Sequence, residues 1–186
     1  MGVRLLSGPF TVDDYYRLAE AGLLHEDSRV ELLDGLVVQK SPIGSRHAGC
    51  VNLLTQLFAR LVDGAAVVAV QNPVRLSRRS EPQPDVAILR PRQDAYRTHH
   101  PSPDDILLLI EVADTTAQSD RDVKIPLYAK AGIREVWLVD LEGGRIEVYR
   151  EPQEDEYRHV RYAGEGDEVT PLAFPAILVS VGEVLG

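Results

Sequence analysis

Two short stretches decide the fold of this chain: PDVAILR at residues 84–90 and DILLLIEV at residues 105–112. Both are rich in aliphatic and β-branched residues and are separated by a polar loop, which predicts two neighbouring strands. If Arg90 lies opposite Ile106 in an antiparallel pair, the same register carried along the strands places Asp85 directly opposite Glu111.

Opposed residues of an antiparallel pair have Cβ atoms about 5 Å apart on one face of the sheet. Glu111 also interrupts a run, ILLLIEVA, that otherwise suits a strand buried on both faces. Two carboxylates in such a place repel each other unless a shared proton or a cation neutralises them. Because Mg²⁺ prefers carboxylate oxygens, the pair Asp85 and Glu111 predicts a metal site.

A simpler interpretation of each acid stays open at this stage. Asp85 follows a proline-rich turn and could serve only to start a strand. Glu111 could end its strand in an ion pair with an arginine.

A hydrolytic site commonly adds a cationic side chain near the attacked phosphate. Lys124 is the lysine that follows the acidic strand most closely. It lies on a helix that we expect to open near Ser119 and, because of Pro126, to kink or break near Lys124. The alternative is an exposed ion pair with Asp120, four residues earlier on the same helix face. The chain has three lysines in all: Lys40, Lys124 and Lys130.

Two further elements precede the acidic strands. Asp34-Gly35 lies between RVELL and LVVQK, which predicts a hairpin with Glu31 on its first strand. Apolar residues recur every three or four positions over residues 45–62, which predicts a helix with His47 in its first turn. A histidine there is more often a surface or capping contact than a catalyst, and Glu31 could simply pair with an arginine.

The rest of the chain is consistent with a mixed α/β protein. VVAVQ (67–71), PVRLS (73–77), REVWLVD (134–140) and RIEVYR (145–150) predict strands. The acidic stretch 151–168 predicts an exposed hairpin, and the apolar residues after it predict a final strand.

Composition excludes several classes of protein. The single cysteine, Cys50, rules out an internal disulfide and a multi-cysteine zinc site, and its apolar helical surroundings predict a core position. The net charge of −9 argues against non-specific coating of nucleic acid. The longest apolar run, residues 65–70, is too short for a membrane helix, so we expect a cytoplasmic protein without membrane contact and one domain over residues 1–186.

The ordered set of these motifs resembles the Uma family of endonucleases, a branch of the restriction endonuclease-like superfamily whose hallmark is PD followed by (D/E)XK. The resemblance covers nearly the whole chain. The matching pieces are VELLDGLVV (30–38), His47, PDV (84–86), LLLIEVAD (107–114), Asp120 with Lys124 and Tyr128, and AGIREVWLVD (131–140).

The resemblance implies an α/β fold of the restriction endonuclease-like kind, with a mixed β-sheet, flanking helices and additional hairpins. It also implies that Asp85 and Glu111 are catalytic metal ligands for Mg²⁺ or Mn²⁺, that Glu31 approaches the same metal, and that His47 lines the site as a further catalytic residue. By analogy with nucleases of this fold, we expect a nucleic-acid substrate, DNA in the first place, and a homo-oligomer such as a dimer.

The chain departs from the family's pattern at two places. Ala113 stands where the superfamily motif has its lysine, which resembles members whose lysine lies on the following helix, and Lys124 is then the catalytic substitute. Asp114 and Thr115 replace the serine and proline that often follow the acidic strand, so we expect the turn that leads to Lys124 to differ from the family's.

The leading hypothesis is therefore metal-dependent hydrolysis of phosphodiester bonds in nucleic acid. Residues 75–100 contain six arginines and three acids. This local excess of positive charge could contact phosphates, or the segment could simply be a solvated loop. Two alternatives remain: a non-catalytic binding or assembly module that keeps the fold, and a hydrolase of a small phosphorylated molecule.

Overall fold

The computed structural model describes residues 4–25 and 27–186, with side chains for residues 8–25 and 27–186. The strands are β1 Arg4–Ser7, β2 Val30–Leu33, β3 Leu36–Gln39, β4 Val67–Val70, β5 Val86–Leu89, β6 Ile106–Ala113, β7 Glu135–Asp140, β8 Arg145–Gln153, β9 Glu156–Gly164, β10 Glu168–Val169 and β11 Val179–Ser180. The helices are α1 Val12–Glu20, α2 Ser45–Val62, α3 Ala117–Ser119, α4 Ile125–Lys130 and α5 Val181–Leu185, with a 3₁₀ turn at Pro103–Asp105 and a π-helical segment at Asp120–Lys124.

The centre of the fold is a six-stranded mixed sheet in the order β4-β5-β6-β7-β8-β9. Only β6 and β7 run parallel, since they are the strands joined by a helical crossover. The other neighbours are antiparallel. The expected α/β fold with a mixed sheet and flanking helices is confirmed.

The register of β5 and β6 decides where the two acids meet. Val86 lies opposite Ile110, as predicted, and Asp85 and Glu111 are the next residue on each chain beyond this last pair of the ladder. At the other end an irregularity shifts the pairing, so Leu89 and not Arg90 lies opposite Ile106. An extra residue in one strand of such a pair forms a bulge, and it leaves the register at the acidic end unchanged.

Helices cover both faces of this sheet. The predicted helix at residues 45–62 is α2, which packs Phe58 against Trp137 with ring centroids 5.8 Å apart. Cys50 is buried in the same core, as expected, and its Sγ lies 3.4 Å from the Val184 carbonyl oxygen. The opposite face holds α4, whose Tyr128 and Ala129 are buried.

A smaller sheet in the order β1-β3-β2 lies beside the large one. Its predicted hairpin is confirmed, because Asp34 and Gly35 have φ values of 44° and 81°, which suit a tight two-residue turn. Glu81 donates its backbone N–H to Leu32 over 2.8 Å and Gly35 donates to the Arg79 carbonyl over 2.7 Å. The prediction of a strand at PVRLS was wrong. Val74 and Leu76 donate their backbone N–H groups to the carbonyls of Pro82 and Ser80, and Arg75 donates to the carbonyl of Pro101, so this stretch pairs with no strand of the large sheet.

The helix expected near Ser119 is present, but Pro126 does not break it. Ile125 donates its backbone N–H to the carbonyl of Asp120, five residues earlier, so the helix is widened at this point. Proline lacks the N–H that a regular α-helical bond would need, and a single π-helical turn absorbs the difference. This widened turn contains Lys124.

The C-terminal part follows the prediction only as far as the acidic hairpin, which β8 and β9 form. The final apolar strand was wrong in extent: residues 179–180 pair with β10, and the chain then turns into α5. Among the described helices, none is long and apolar enough to span a membrane.

Candidate active site

The acidic ends of β5 and β6 open into a cavity of about 800 Å³. The β2–β3 hairpin, the start of α2 and the π-helical segment form its other walls. Four charged side chains that line it are nevertheless buried, with exposed fractions between 2% and 8%: Glu31, Asp85, Glu111 and Lys124. The structure thus brings together the two predicted acids, the predicted lysine and the acid expected from the hairpin.

Asp85 is held by three hydrogen bonds. Its Oδ2 accepts the backbone N–H of Val112 over 2.9 Å and lies 3.0 Å from Nε2 of His47. Its Oδ1 accepts from the amide of Gln71 over 3.2 Å. Burial alone would raise the pKa of Asp85, but the bond and charge of His47, with the charge of Lys124, lower it to about 2. Asp85 is therefore an ionised, oriented carboxylate.

Glu111 is held from the opposite side by the crossover helix. Lys124 Nζ lies 3.1 Å from both carboxylate oxygens, and Tyr128 donates its hydroxyl to Oε1 over 2.5 Å. Burial raises the pKa of Glu111 to about 7, Lys124 opposes this, and the nearby charge of Asp85 adds to it. A proton or a cation is therefore bound favourably at this carboxylate.

Lys124 is a buried counter-charge, not the exposed ion pair that the simpler interpretation allowed. Its Nζ also lies 3.6 Å from Oε1 of Glu31. Burial acts to lower the pKa of Lys124, but the surrounding carboxylates, Glu111 first, hold it well above its usual value. The side chain reaches this place because the π-helical turn directs it into the site, which spacing alone could not show.

Glu31 ties the small sheet to the site. Its Oε2 accepts the backbone N–H of Gln83 over 3.1 Å, and the Gln83 side chain donates to the carbonyl of Val30 over 3.3 Å. Lys40 donates to the carbonyl of Gln83 over 2.7 Å. The chain immediately before Pro84-Asp85 is thus fixed against β2, and the partner of Glu31 is a lysine, not an arginine.

His47 contacts the site through one ring nitrogen. Nε2 bonds to Asp85, and this bond raises the pKa of His47. Nδ1 is buried and has no hydrogen-bond partner within residues 4–25 and 27–186. The contact with Asp85 is more than the surface or capping contact that the first-turn position alone would suggest.

Three residues at the site were not predicted to act in it. Asp120 lines the cavity, accepts the hydroxyl of Thr116 over 2.9 Å, and has a pKa raised by burial. Tyr128 and Asp120 fell within matching motifs, so spacing could have drawn attention to them. Gln71 gave no such signal: it follows β4 with a φ of 53°, a left-handed conformation that is uncommon outside glycine.

None of the six arginines between residues 75 and 100 lines the cavity. Arg75 pairs with Glu81 at 2.8 Å and Arg92 with Asp94 at 2.9 Å, while Arg90 donates to the carbonyl of Asp104. Acidic residues of the lining outnumber basic ones by eight to four; the basic ones are Arg29, Lys40, Lys124 and Lys130. A phosphate entering this cavity would therefore need further positive charge.

Among the described residues, no three His, Cys, Asp or Glu side chains already surround one point as a preformed metal site. The ammonium group of Lys124 instead lies between Glu31 and Glu111. The donor chemistry still suits a hard cation, because a carboxylate has about four lone-pair sites. The carboxylates of Asp85 and Glu111 each accept three hydrogen bonds, and that of Glu31 accepts fewer, so each keeps at least one lone-pair site for a cation.

The sequence model of the Uma2 family, described as "Putative restriction endonuclease", matches residues 12–182. The chain belongs to the Uma2 family. The family match spans all the site residues above, from Glu31 to Tyr128. No curated protein matches this chain.

A solved structure supports the same fold. It is described as the crystal structure of a putative nuclease belonging to DUF820 from Anabaena variabilis ATCC 29413, and it resembles this chain with a TM-score of 0.74. The two share 16% identity, with 95% of this chain and 98% of that chain covered. At this identity the likeness shows the nuclease-like fold alone, and it confirms the restriction endonuclease-like architecture expected from the motifs.

Proposed function

We propose that this Uma2-family protein is a metal-dependent nuclease that hydrolyses phosphodiester bonds of nucleic acid, DNA in the first place. The observation that carries the proposal is the pair of buried carboxylates, Asp85 and Glu111, at adjoining ends of two strands beside a buried lysine. Such buried, electrostatically perturbed groups in a cavity are characteristic of catalytic sites.

We assign Asp85 and Glu111 as ligands of Mg²⁺ or Mn²⁺, with Glu31 as a third oxygen donor. Each keeps lone pairs for a cation, and the excess of acidic groups around the cavity favours binding of one. A bound cation of this kind polarises a phosphate and lowers the pKa of a coordinated water.

The protein's own groups prepare the site for this chemistry. His47, Gln71 and the N–H of Val112 fix the orientation of Asp85. Tyr128 fixes Glu111. Lys124 supplies a permanent positive charge that can stabilise negative charge developing on the phosphate.

We assign His47 a role in positioning Asp85. In the present geometry Nε2 is engaged with the carboxylate and Nδ1 is buried, so neither nitrogen is placed to take a proton from an attacking water. A direct catalytic role for His47 would need a rotated side chain.

A hydrolase of small phosphorylated molecules is the second candidate. It is favoured by one observation: none of the arginines between residues 75 and 100, which could bind a nucleic-acid backbone, lines the cavity. Cytoplasmic location, homo-oligomeric assembly and a single domain over residues 1–186 stay predictions.

The test is cleavage in Mg²⁺ or Mn²⁺ of duplex DNA, single-stranded DNA, RNA and a small chromogenic phosphodiester. We expect cleavage of at least one nucleic acid, abolished in Asp85→Asn and Glu111→Gln. Asp122→Asn is the matched control, since Asp122 is an exposed acid of the same cavity. Turnover of the small phosphodiester alone would favour the second candidate, and metal binding without any cleavage would support the non-catalytic module.

A further inference from the structure

We propose that a divalent cation enters this site by exchange with Lys124, whose ammonium group then moves from Glu111 and Glu31 to Asp120. This inference rests on the proposed metal centre and adds a role for a residue that is not one of its ligands. It makes Lys124 the internal counter-ion of the metal-free protein.

The first step is that Lys124 occupies the place where the ligands meet. Its Nζ is 3.1 Å from both oxygens of Glu111 and 3.6 Å from Oε1 of Glu31. Mg²⁺ binds oxygen at about 2.1 Å and demands nearly ideal octahedral geometry. A cation held by both carboxylates would therefore approach the ammonium group closely, and two like charges at such a distance repel each other strongly in a buried site.

The second step is that the displaced ammonium group needs another carboxylate. Lys124 is only 8% exposed, and a buried charge without a partner is costly. Moving it into solvent would require the side chain to leave the core of the site. A partner on the same helix would avoid that cost.

Asp120 is placed to be that partner. It lies one helical turn before Lys124 on the same widened segment, lines the same cavity and is partly buried. The side-chain hydrogen bond found for it within the described residues comes from Thr116, and it leaves lone pairs unused. Its negative charge already acts on Lys124 without a direct contact.

The exchange predicts opposite effects of two substitutions on metal binding. Lys124→Met removes the competing cation, so the metal should bind about tenfold tighter, although the metal-free protein should be less stable. Asp120→Asn removes the place to which Lys124 moves, so the metal should bind about tenfold more weakly. In the Lys124→Met background the Asp120→Asn change should have little effect, because no ammonium group has to be relocated.

The experiment is a double-mutant cycle on the full chain, read by calorimetric titration of Mn²⁺ at one fixed pH and by thermal unfolding in a chelator. Asp122→Asn is the control for the loss of a nearby negative charge, and Lys130→Met is the control for the loss of a cavity-lining positive charge. We expect both controls to bind Mn²⁺ as the wild type does.

The outcomes distinguish failure of the metal centre from failure of the exchange. If the wild type binds no Mn²⁺, the metal centre and the exchange both fail. If the wild type binds Mn²⁺ but Asp120→Asn weakens binding equally with and without Lys124, Asp120 acts through its charge alone and the exchange is wrong. Should Lys124→Met prove too unstable to titrate, equal binding by Asp120→Asn and Asp122→Asn would by itself overturn the exchange.

Discussion

Tyr128 donates its hydroxyl proton to Oε1 of Glu111 over 2.5 Å, inside a site where both side chains are removed from solvent. The bond joins the crossover helix to the acidic strand. It also fixes the rotation of the carboxylate that we assign as a metal ligand, so its loss should affect both stability and metal binding.

Tyr128→Phe tests this bond. We expect the free energy of unfolding to fall by about 2 kcal/mol, since hydrogen bonds to charged groups contribute more than neutral ones. Mn²⁺ should bind about tenfold more weakly, because residues that orient metal ligands have effects of this size. Tyr157→Phe is the matched control: its hydroxyl donates to the Ile133 carbonyl over 2.8 Å, away from the cavity. Equal metal affinity in both variants would show that Tyr128 does not orient Glu111 for metal binding.

The pKa of Glu111 predicts how the metal-free protein responds to pH. Burial and the neighbouring carboxylates raise this pKa to about 7, from 4.5 in an exposed glutamate. Between these values the folded state holds a proton that the unfolded state has lost, so stability falls as pH rises through this window, by up to about 3 kcal/mol. Urea unfolding in a chelator at several pH values measures it, and Glu111→Gln should flatten the dependence. If Glu111→Gln shows the same pH dependence of the unfolding free energy as the wild type, the dependence does not come from Glu111.

The same proton competes with the metal. A cation binds the ionised carboxylate, so Mn²⁺ affinity should increase as pH rises through about 7 and level off above it. Calorimetric titrations in buffers of different ionisation enthalpy report the protons released. An affinity that is independent of pH between 6 and 8, with no proton release, would show that metal binding does not displace a proton from Glu111.

A substitution of Arg121 should lower the stability of the protein without changing its affinity for metal. Its guanidinium group bonds to Glu147, which is fully buried, and to Asp140, and none of the three lines the cavity. Arg121→Met leaves a buried carboxylate with one cation fewer, which should cost about 3 kcal/mol of unfolding free energy. Mn²⁺ affinity of the folded protein should not change. Arg97→Met, on an exposed loop, should change neither quantity, and chemical denaturation beside a metal titration checks both variants.

Local patterns predicted the part of the fold that depends on strand register. The register supposed from Arg90 opposite Ile106 holds at the acidic end, where Val86 pairs with Ile110, although a bulge removes the Arg90–Ile106 pair itself. PVRLS has the same strand-forming residues, yet its backbone bonds to Ser80, Pro82 and Pro101 and not to a strand of the large sheet. Residue preference cannot distinguish between two possible partners.

The site was predictable where one face of a regular strand or helix determines it. Asp85 and Glu111 follow from register, whereas Glu31 and His47 came from the family resemblance, since nothing local indicates which distant segment will reach them. The burial of Lys124 depends on one π-helical turn, and the role of Gln71 on one residue with a positive φ. Such irregularities arise from tertiary packing and leave no period in the sequence.

The central claim is that Asp85 and Glu111 bind a divalent cation that cleavage requires. The most direct measurement is calorimetric titration of Mn²⁺ into the wild type, Asp85→Asn and the control Asp122→Asn, with nucleic-acid cleavage followed in the same samples. We predict binding and cleavage in the wild type and the control, and a loss of at least about a hundredfold in affinity, with no cleavage, in Asp85→Asn. Equal Mn²⁺ binding by the wild type and Asp85→Asn, or cleavage that persists in Asp85→Asn, would contradict the claim.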